Sequence, residues 1–183
     1  MGEKIILGLD PGSVIMGFGI IKENSLGSDT QLVTYGVFQL KNYREHMLKM
    51  RHIYTSMMDL LHKYTPDEVA IEAVFHGANV QSMLKLGRAQ GVAIAAALAC
   101  EIPVTEYAPR KVKQSVTGKG NASKEQVAAM VSHLLGISIA SVPLDASDAL
   151  AVALCHSQQR IATANKVKNW SQFVATHPNR ITS

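Results

Sequence analysis

The chain has 183 residues, 47% of them hydrophobic and 17% charged, with a formal charge of +4, which fits one globular domain with a sizeable core and excludes disorder. The excess charge is placed unevenly: residues 1–148 hold 14 basic and 14 acidic side chains, and Arg160, Lys166, Lys168 and Arg180 supply the whole surplus. The longest apolar run, Val92 to Cys100, is too short to span a bilayer, and the N-terminal apolar run ends in a charged turn rather than a cleavage signal, so a cytoplasmic protein with no membrane contact is expected.

Residues 4–10 read as an apolar strand closed by the turn Asp10-Pro11-Gly12-Ser13. Gly17–Lys22 and Leu32–Leu40 read as two further strands, with short breaks suited to an antiparallel meander. The period then changes: Met47, Met50, Tyr54, Met57, Leu61 and Tyr64 recur at steps of three and four, the mark of a long amphipathic helix that Thr65-Pro66-Asp67 stops. A strand over Val69–Val74 follows, then a helix over 79–101, rich in alanine, in which Gly87 and Gly91 share a face. Two uses fit that glycine pair equally, close packing on the chain's own sheet or the seam of a symmetric dimer.

Pro103–Tyr107 is a short strand and Ala108–Val116 a basic helical turn. Ser123–Leu135 is a helix with Val127, Met130, Val131 and Leu134 inward. The last element is an apolar helix through Ala149–Cys155, and 161–183 read as a basic, mobile tail, with Trp170 and Phe173 its only large aromatics. Cys100 and Cys155 sit among Ala and Leu and read as buried reduced thiols. Three hairpin strands, then helix, strand, helix, strand and helices, give an α/β domain over 1–160. Its sheet is mixed and five-stranded, with an antiparallel meander and parallel strands made by right-handed crossovers.

Two strand acids stand out. Asp10 closes one apolar strand and Glu72 lies inside another, and neither strand carries a Lys or Arg beside its acid. Burying a carboxylate without a partner costs several kcal/mol, so a partner must come from elsewhere in the fold. Asp145 and Asp148 lie three residues apart where the final helix begins. On their own they read as helix capping, with Asp145 as N-cap and Asp148 beside the positive end of the dipole. Together with Asp10 and Glu72 they read as an all-oxygen set for Mg²⁺, which in a two-ion arrangement suits in-line phosphoryl chemistry.

Between Glu106 and Glu125 the chain holds Arg110, Lys111, Lys113, Lys119 and Lys124 and no acid, a local field for phosphate; Lys113, Lys119 and Lys124 are the candidate DNA-backbone contacts. Gly118-Lys-Gly120 lacks P-loop spacing. Phe75, just past the Glu72 strand, is placed to stack on or wedge apart bases, or to pack under the next helix. His76 beside it is the one histidine worth testing near the acids.

Five stretches together resemble the RuvC family of Holliday-junction resolvases. They are Ile6-Leu-Gly-Leu-Asp10-Pro-Gly-Ser13, Ala70-Ile-Glu72-Ala-Val-Phe75, Leu84-Lys-Leu-Gly87 through Gly91-Val-Ala, Val112-Lys-Gln114 and Asp145-Ala-Ser-Asp148-Ala-Leu150. The likeness runs from about residue 4 to residue 157. It implies a ribonuclease H-like fold, a homodimer, and paired Mg²⁺-dependent incisions in opposing strands of a four-way junction, leaving 5′-phosphate and 3′-hydroxyl ends. By position it implies Asp10, Glu72, Asp145 and Asp148 as catalytic ligands of two Mg²⁺ ions, with Mn²⁺ as a substitute. Asp10 would bridge both ions and Asp148 would help place the attacking water. Phe75 matches the aromatic that meets junction bases, Lys113 and Lys124 match basic positions, and Gly87 and Gly91 lie on the dimer helix. A branch-migration complex of RuvA and RuvB is the implied partner. The chain departs from the pattern at His76-Gly77-Ala78, at Lys119 and beyond about residue 160. Two rival readings are a sugar-kinase or actin-like ATPase, which also opens with an Asp-x-Gly turn, and a non-catalytic DNA-binding scaffold.

Overall fold

In the computed structural model, β1 (Lys4–Asp10), β2 (Ile15–Glu23) and β3 (Thr30–Gln39) form an antiparallel meander. Strands β4 (Glu68–Glu72) and β5 (Val104–Tyr107) extend it in parallel beyond β1, giving the order β3-β2-β1-β4-β5. The structure describes residues 3–24, 30–74, 80–138 and 142–176, with backbone only from 161 onward. The helices are α1 (His46–Tyr64), α2 (Val80–Ala99), α3 (Pro109–Thr117), α4 (Lys124–Leu135) and α5 (Leu144–Thr176). This is the mixed five-stranded sheet expected from the sequence. α1 and α2 are the crossovers that make the parallel pairs, because a parallel neighbour cannot be reached by a tight turn.

Strand alternation divides the core into two layers. Leu7, Leu9, Met16, Ile20, Val69 and Ile71 pack toward Ile53, Met57 and Leu61 of α1 and the alanines of α2. Ile6, Ile21 and Ala70 pack on the opposite side, against α3, α4 and the apolar stretch of α5. Two side-chain expectations need correction. On α1 the buried stripe is centred on Met57; Tyr54 and Met47 lie roughly 60° and 80° around the helix from it and are 44% and 72% exposed. On α4, Val127, Ala128 and Val131 are buried, whereas Leu134, in the last turn, is exposed.

The final helix also differs from expectation. Its backbone runs through Thr176, where the sequence reading placed a tail. No proline or glycine interrupts 144–176, and Pro178 follows the end, so nothing in the local chemistry stops it earlier. Gly118 follows α3. It adopts φ 76° and closes α3, its N–H donating to the carbonyl of Gln114, a left-handed cap that glycine accepts without strain.

Helix α5 lies directly on β1 and β2 because three glycines leave it room. A Cβ at Gly17 would stand 1.9 Å from the carbonyl oxygen of Asp145, one at Gly8 2.2 Å from that of Ala149, and one at Gly19 2.5 Å from Leu150. The helix therefore runs antiparallel to β1, with its first turn over the carboxyl end of the strand. The lengths agree: fifteen helical residues and six strand residues each cover about 20 Å. A polar cluster fixes the other end. Glu68 meets Lys4 at 2.6 Å and His156 at 2.5 Å, Tyr107 Oη lies 2.9 Å from His156 Nδ1, and buried Glu23 accepts from Ser157 and Arg160. Burial pushes the Glu68 carboxyl up, but the hydrogen bonds from Lys4 and His156 outweigh it and hold the group below its ordinary value.

Candidate active site

The parallel register pairs Leu9 with Ile71, one step short of Asp10 and Glu72, so the two acids end neighbouring strands at the same level. Alternation puts them on the side of Ile6 and Ala70, the face that α5 covers. The neighbour of Asp10 on its other side is Gly17, the residue against which the Asp145 backbone rests. A two-residue span of sheet and one helical turn thus bring four acids, up to 138 positions apart in the chain, to one corner. Asp145 is not an N-cap. The helix already begins at Leu144, and the Ser147 N–H donates to the carbonyl of Pro143 at 2.9 Å.

The electrostatics confirm the convergence. Burial, then repulsion from Glu72 and Asp148, with a smaller push from Asp145, raises Asp10 to about 8, against the pull of Lys124. Burial and Asp148 raise Glu72 to about 7, with Lys124 and Lys113 opposing. The two strand acids are thus carboxyls that hold their protons near neutrality because burial and the neighbouring acids outweigh the nearby lysines. One cation enters directly: Lys124 Nζ stands 2.6 Å from Asp148 Oδ2. Its own pKa is raised, chiefly by that bond. Among the described residues no three His, Cys, Asp or Glu side chains already form a closed metal cage. The donors are nonetheless all oxygen, clustered, partly desolvated and mutually repelling, which fits a hard divalent ion and not a soft one.

With this geometry in hand, likeness to known proteins is decisive. Residues 6–156 match the family described as crossover junction endodeoxyribonuclease RuvC. The chain belongs to the RuvC family. The family's Cytophaga hutchinsonii protein of that name is 50% identical over 98% of this chain and 88% of its own length, and the Bacteroides fragilis protein is 48% identical over 98% and 96%. Those alignments continue past residue 160. Among solved structures, Thermus thermophilus RuvC in complex with Holliday junction substrate superposes with a TM-score of 0.79 at 31% identity, covering 87% of this chain and 96% of that one. The yeast mitochondrial resolvase Ydc2, at 15% identity and a TM-score of 0.66, shares the fold. The ATPase reading gives way to this membership, and the sheet is the ribonuclease H-like sheet of the RuvC resolvases.

The other expected residues of this RuvC-family chain fall into four groups. Lys113 and Lys124 lie within electrostatic reach of the acids, Lys124 of both Asp10 and Glu72 and Lys113 of Glu72. Lys113 spends one of its three donors on the carbonyl of Ala122, at 2.8 Å, tying α3 to the start of α4. Lys119 stands apart on the exposed loop after α3. Phe75 and His76 lie outside the described residues.

Among the described residues, and leaving aside the helix's own backbone, nothing lies within 4 Å of where a Cβ of Gly87 or Gly91 would sit. Close packing on the chain's own sheet, one of the two uses weighed for them, is therefore not theirs.

Sequence reasoning missed Gly8, Gly17 and Gly19, whose partner is a helix far along the chain. It also missed Gln90. That side chain is 8% exposed and donates to Glu106 at 2.8 Å and to the Glu72 carbonyl at 3.3 Å, steadying the strand end that carries Glu72. Its signal was a lone amide on the buried side of an alanine-rich helix.

Proposed function

We propose that this chain resolves Holliday junctions by hydrolysing phosphodiester bonds, with Asp10, Glu72, Asp145 and Asp148 as its catalytic carboxylates. The observation that carries the reading is the meeting of two strand acids and one helical turn at a corner short of positive charge. The four acids would hold Mg²⁺, two ions per site, with Mn²⁺ as a substitute. When bound, the metal supplies Lewis-acid stabilisation of the phosphoryl oxygens and a more acidic water. The chain's own part is to aim the carboxylates: Asp10 and Glu72 from a rigid sheet end, Asp145 and Asp148 from a helix seated on glycine. Lys124 pairs with Asp148 and fixes where that carboxylate points.

The products would carry 5′-phosphate and 3′-hydroxyl ends. Symmetrical cutting of opposing strands needs two such sites at fixed separation. The outward face of α2 supports a homodimer: Gly87 and Gly91 leave room for another backbone, between Leu84 and Leu98, 57% and 56% exposed. Phe75, in the segment after the Glu72 strand, is assigned to junction bases. The family resemblance supplies RuvA and RuvB as the branch-migration partner and the cytoplasm as the site of action. No helix among the described residues is long and apolar enough to cross a membrane.

The test is Mg²⁺-dependent nicking of a synthetic four-way junction beside a linear duplex of the same sequence. Paired nicks confined to the junction support the assignment; junction binding without cleavage under any divalent ion makes the chain a scaffold instead. Salt dependence separates the lysines. Lys119→Ala is expected to lower the slope of log affinity against log salt by about 0.9, one phosphate contact. Lys113→Ala and Lys124→Ala should do the same, and Lys124→Ala should also shift the Mg²⁺ titration of cleavage, because Asp148 loses its ammonium partner. Anisotropy titrations across salt read the first effect and initial rates the second. A slope unmoved by Lys119→Ala would leave that side chain solvating the surface only.

A further inference from the structure

On the other side of the sheet from α5, the loop that follows Asp10 forms one wall of a cleft of about 230 Å³. Ser13, Val14 and Leu40 line it together with Arg44, His46, Lys49 and Lys85. Four basic side chains and no acid face it; Glu45, between Arg44 and His46 in the chain, is not among its walls. Neither Arg44 nor Lys85 has an ion-pair partner among the described residues. Lys49 Nζ donates to the carbonyl of Ser13 at 3.0 Å, which anchors the loop and leaves two of its donors for something else. The Nε2 of His46 is buried with no hydrogen-bond partner among the described residues, an unmet polar atom that disfavours the empty cleft. Val14, Leu40, Met50 and Ala89 give the cleft an apolar floor, and the charge around it is all positive, so such a lining repels cations. Its volume is below the roughly 300–1,000 Å³ of ordinary small-molecule pockets. It suits one compact, doubly coordinating anion, and guanidinium with ammonium is the pairing that phosphate takes best.

We infer that this cleft is a second phosphate site, which seats a backbone phosphate of the DNA strand beside the one being cut. The identity of the phosphate rests on the nuclease reading above; the anion site itself does not. Chain connectivity sets the reach. Asp10 and Ser13 are three residues apart, at most about 10 Å of extended chain, and one strand of a B-form duplex advances about 3.4 Å per phosphate. A phosphate held here is therefore within about three nucleotides of the carboxylates. It would fix the register of the strand along the sheet edge, so that the reacting phosphate and not its neighbour meets the acids. In that role Arg44 and Lys85 are positioning residues.

The experiment uses the full chain and the double variant Arg44→Gln/Lys85→Gln. Both side chains are exposed, so the substitutions spare the core; matching thermal melts check this, and Arg44→Lys/Lys85→Arg, which keeps the charge, is the rescue. Junction affinity is measured from low to moderate salt. The inference expects the double variant to bind about tenfold more weakly, with a salt slope smaller by about 0.9, and its nicks to spread over neighbouring positions; the charge-keeping variant should recover affinity and slope. In parallel, inorganic phosphate is titrated into the wild-type chain while the His46 ring resonances are followed. A saturable shift that the double variant loses supports the site. Unchanged affinity, slope and cut positions in the double variant, with the wild type still cutting junctions, overturn the DNA assignment, whether or not free phosphate binds. A wild type that never binds or cuts a junction instead fails the nuclease reading, and the identity of the ligand falls with it.

Discussion

Asp10→Asn is expected to reduce junction cleavage by about a thousand-fold or more while leaving junction affinity within a few-fold. Asp10 is the carboxylate nearest the centre of the group, since Glu72, Asp148 and Asp145 all act on it. An amide in its place keeps the shape and the strand but withdraws the negative charge on which a divalent ion depends. A thousand-fold corresponds to about 4 kcal/mol of barrier, within what a metal contributes to a phosphoryl transition state. DNA binding is expected to run on the basic residues and so to survive.

The same substitution has a signature in the metal-free chain, where the sign is fixed by linkage. The carboxyl of Asp10 ionises near 3.8 when unfolded and about 8 when folded. The unfolded chain thus gives up this proton first, and folded stability falls as pH rises from about 4 to about 8. Glu72, raised to about 7, acts in the same direction. With chelator present, Asp10→Asn should melt above the wild type at pH 8 and level with it near pH 4, and added Mg²⁺ should restore the wild type alone. Cleavage at limiting Mg²⁺ should climb between pH 6 and 8, because the ion competes with protons for these oxygens, and more Mg²⁺ should move the rise to lower pH. Thermal melts and single-turnover rates settle both points. A cleaving Asp10→Asn, or identical melts at pH 8 in chelator, would remove Asp10 from the site.

The acids were legible in the sequence because a charge inside an apolar strand is a local anomaly. Asp10 and Glu72 needed no structure to be suspected, only a β period and the cost of desolvation. The sheet was legible for a similar reason: Gly, Ser and Asn breaks separate the first strands, and the change to a three-to-four period announces the crossovers. What stayed hidden depends on contacts between distant segments. Gly17 in a strand signals a bulge, a bend or a close approach with equal force, and only the arrival of Asp145 chooses among them. Lys124 read as a DNA-backbone contact, and its pairing with Asp148 stayed hidden because that acid lies on another helix. Asp145 looked like a cap because a composition of Pro, Leu, Asp does not say whether the first turn opens before or after the acid. The reach of α5 past residue 160 was hidden by its polar, aperiodic composition, which argues for a tail as readily as for a helix.

Gly17→Ala should then lower both the stability and the cleavage rate, although no catalytic group is touched. The added methyl would need the space now held by the Asp145 carbonyl oxygen at 1.9 Å, its carbon at 2.5 Å and the Ala146 nitrogen at 3.2 Å. All three are backbone atoms, so relief cannot come from a rotamer; the first turn of α5 must lift or β2 must bow outward. Overpacking of this kind costs about 1–3 kcal/mol. The functional loss is the more telling part. Asp145 and Asp148 ride on the turn that lifts, whereas Asp10 and Glu72 stay on the sheet, so the displacement widens the gap between the two pairs of acids that would share a metal. A shift near 1 Å in a positioned group costs about a hundred-fold in rate, and the Mg²⁺ concentration needed for half-maximal cleavage should rise with it. Gly19→Ala is the milder comparison, because its methyl meets chiefly the Leu150 side chain, at 2.5 and 2.6 Å, which can turn, and one backbone atom, the Leu150 nitrogen, at 3.0 Å. It should lose less stability and little of the Mg²⁺ response. If folded Gly17→Ala cuts junctions at the wild-type rate with the wild-type Mg²⁺ requirement, the helix is not what sets the distance between the two pairs of acids.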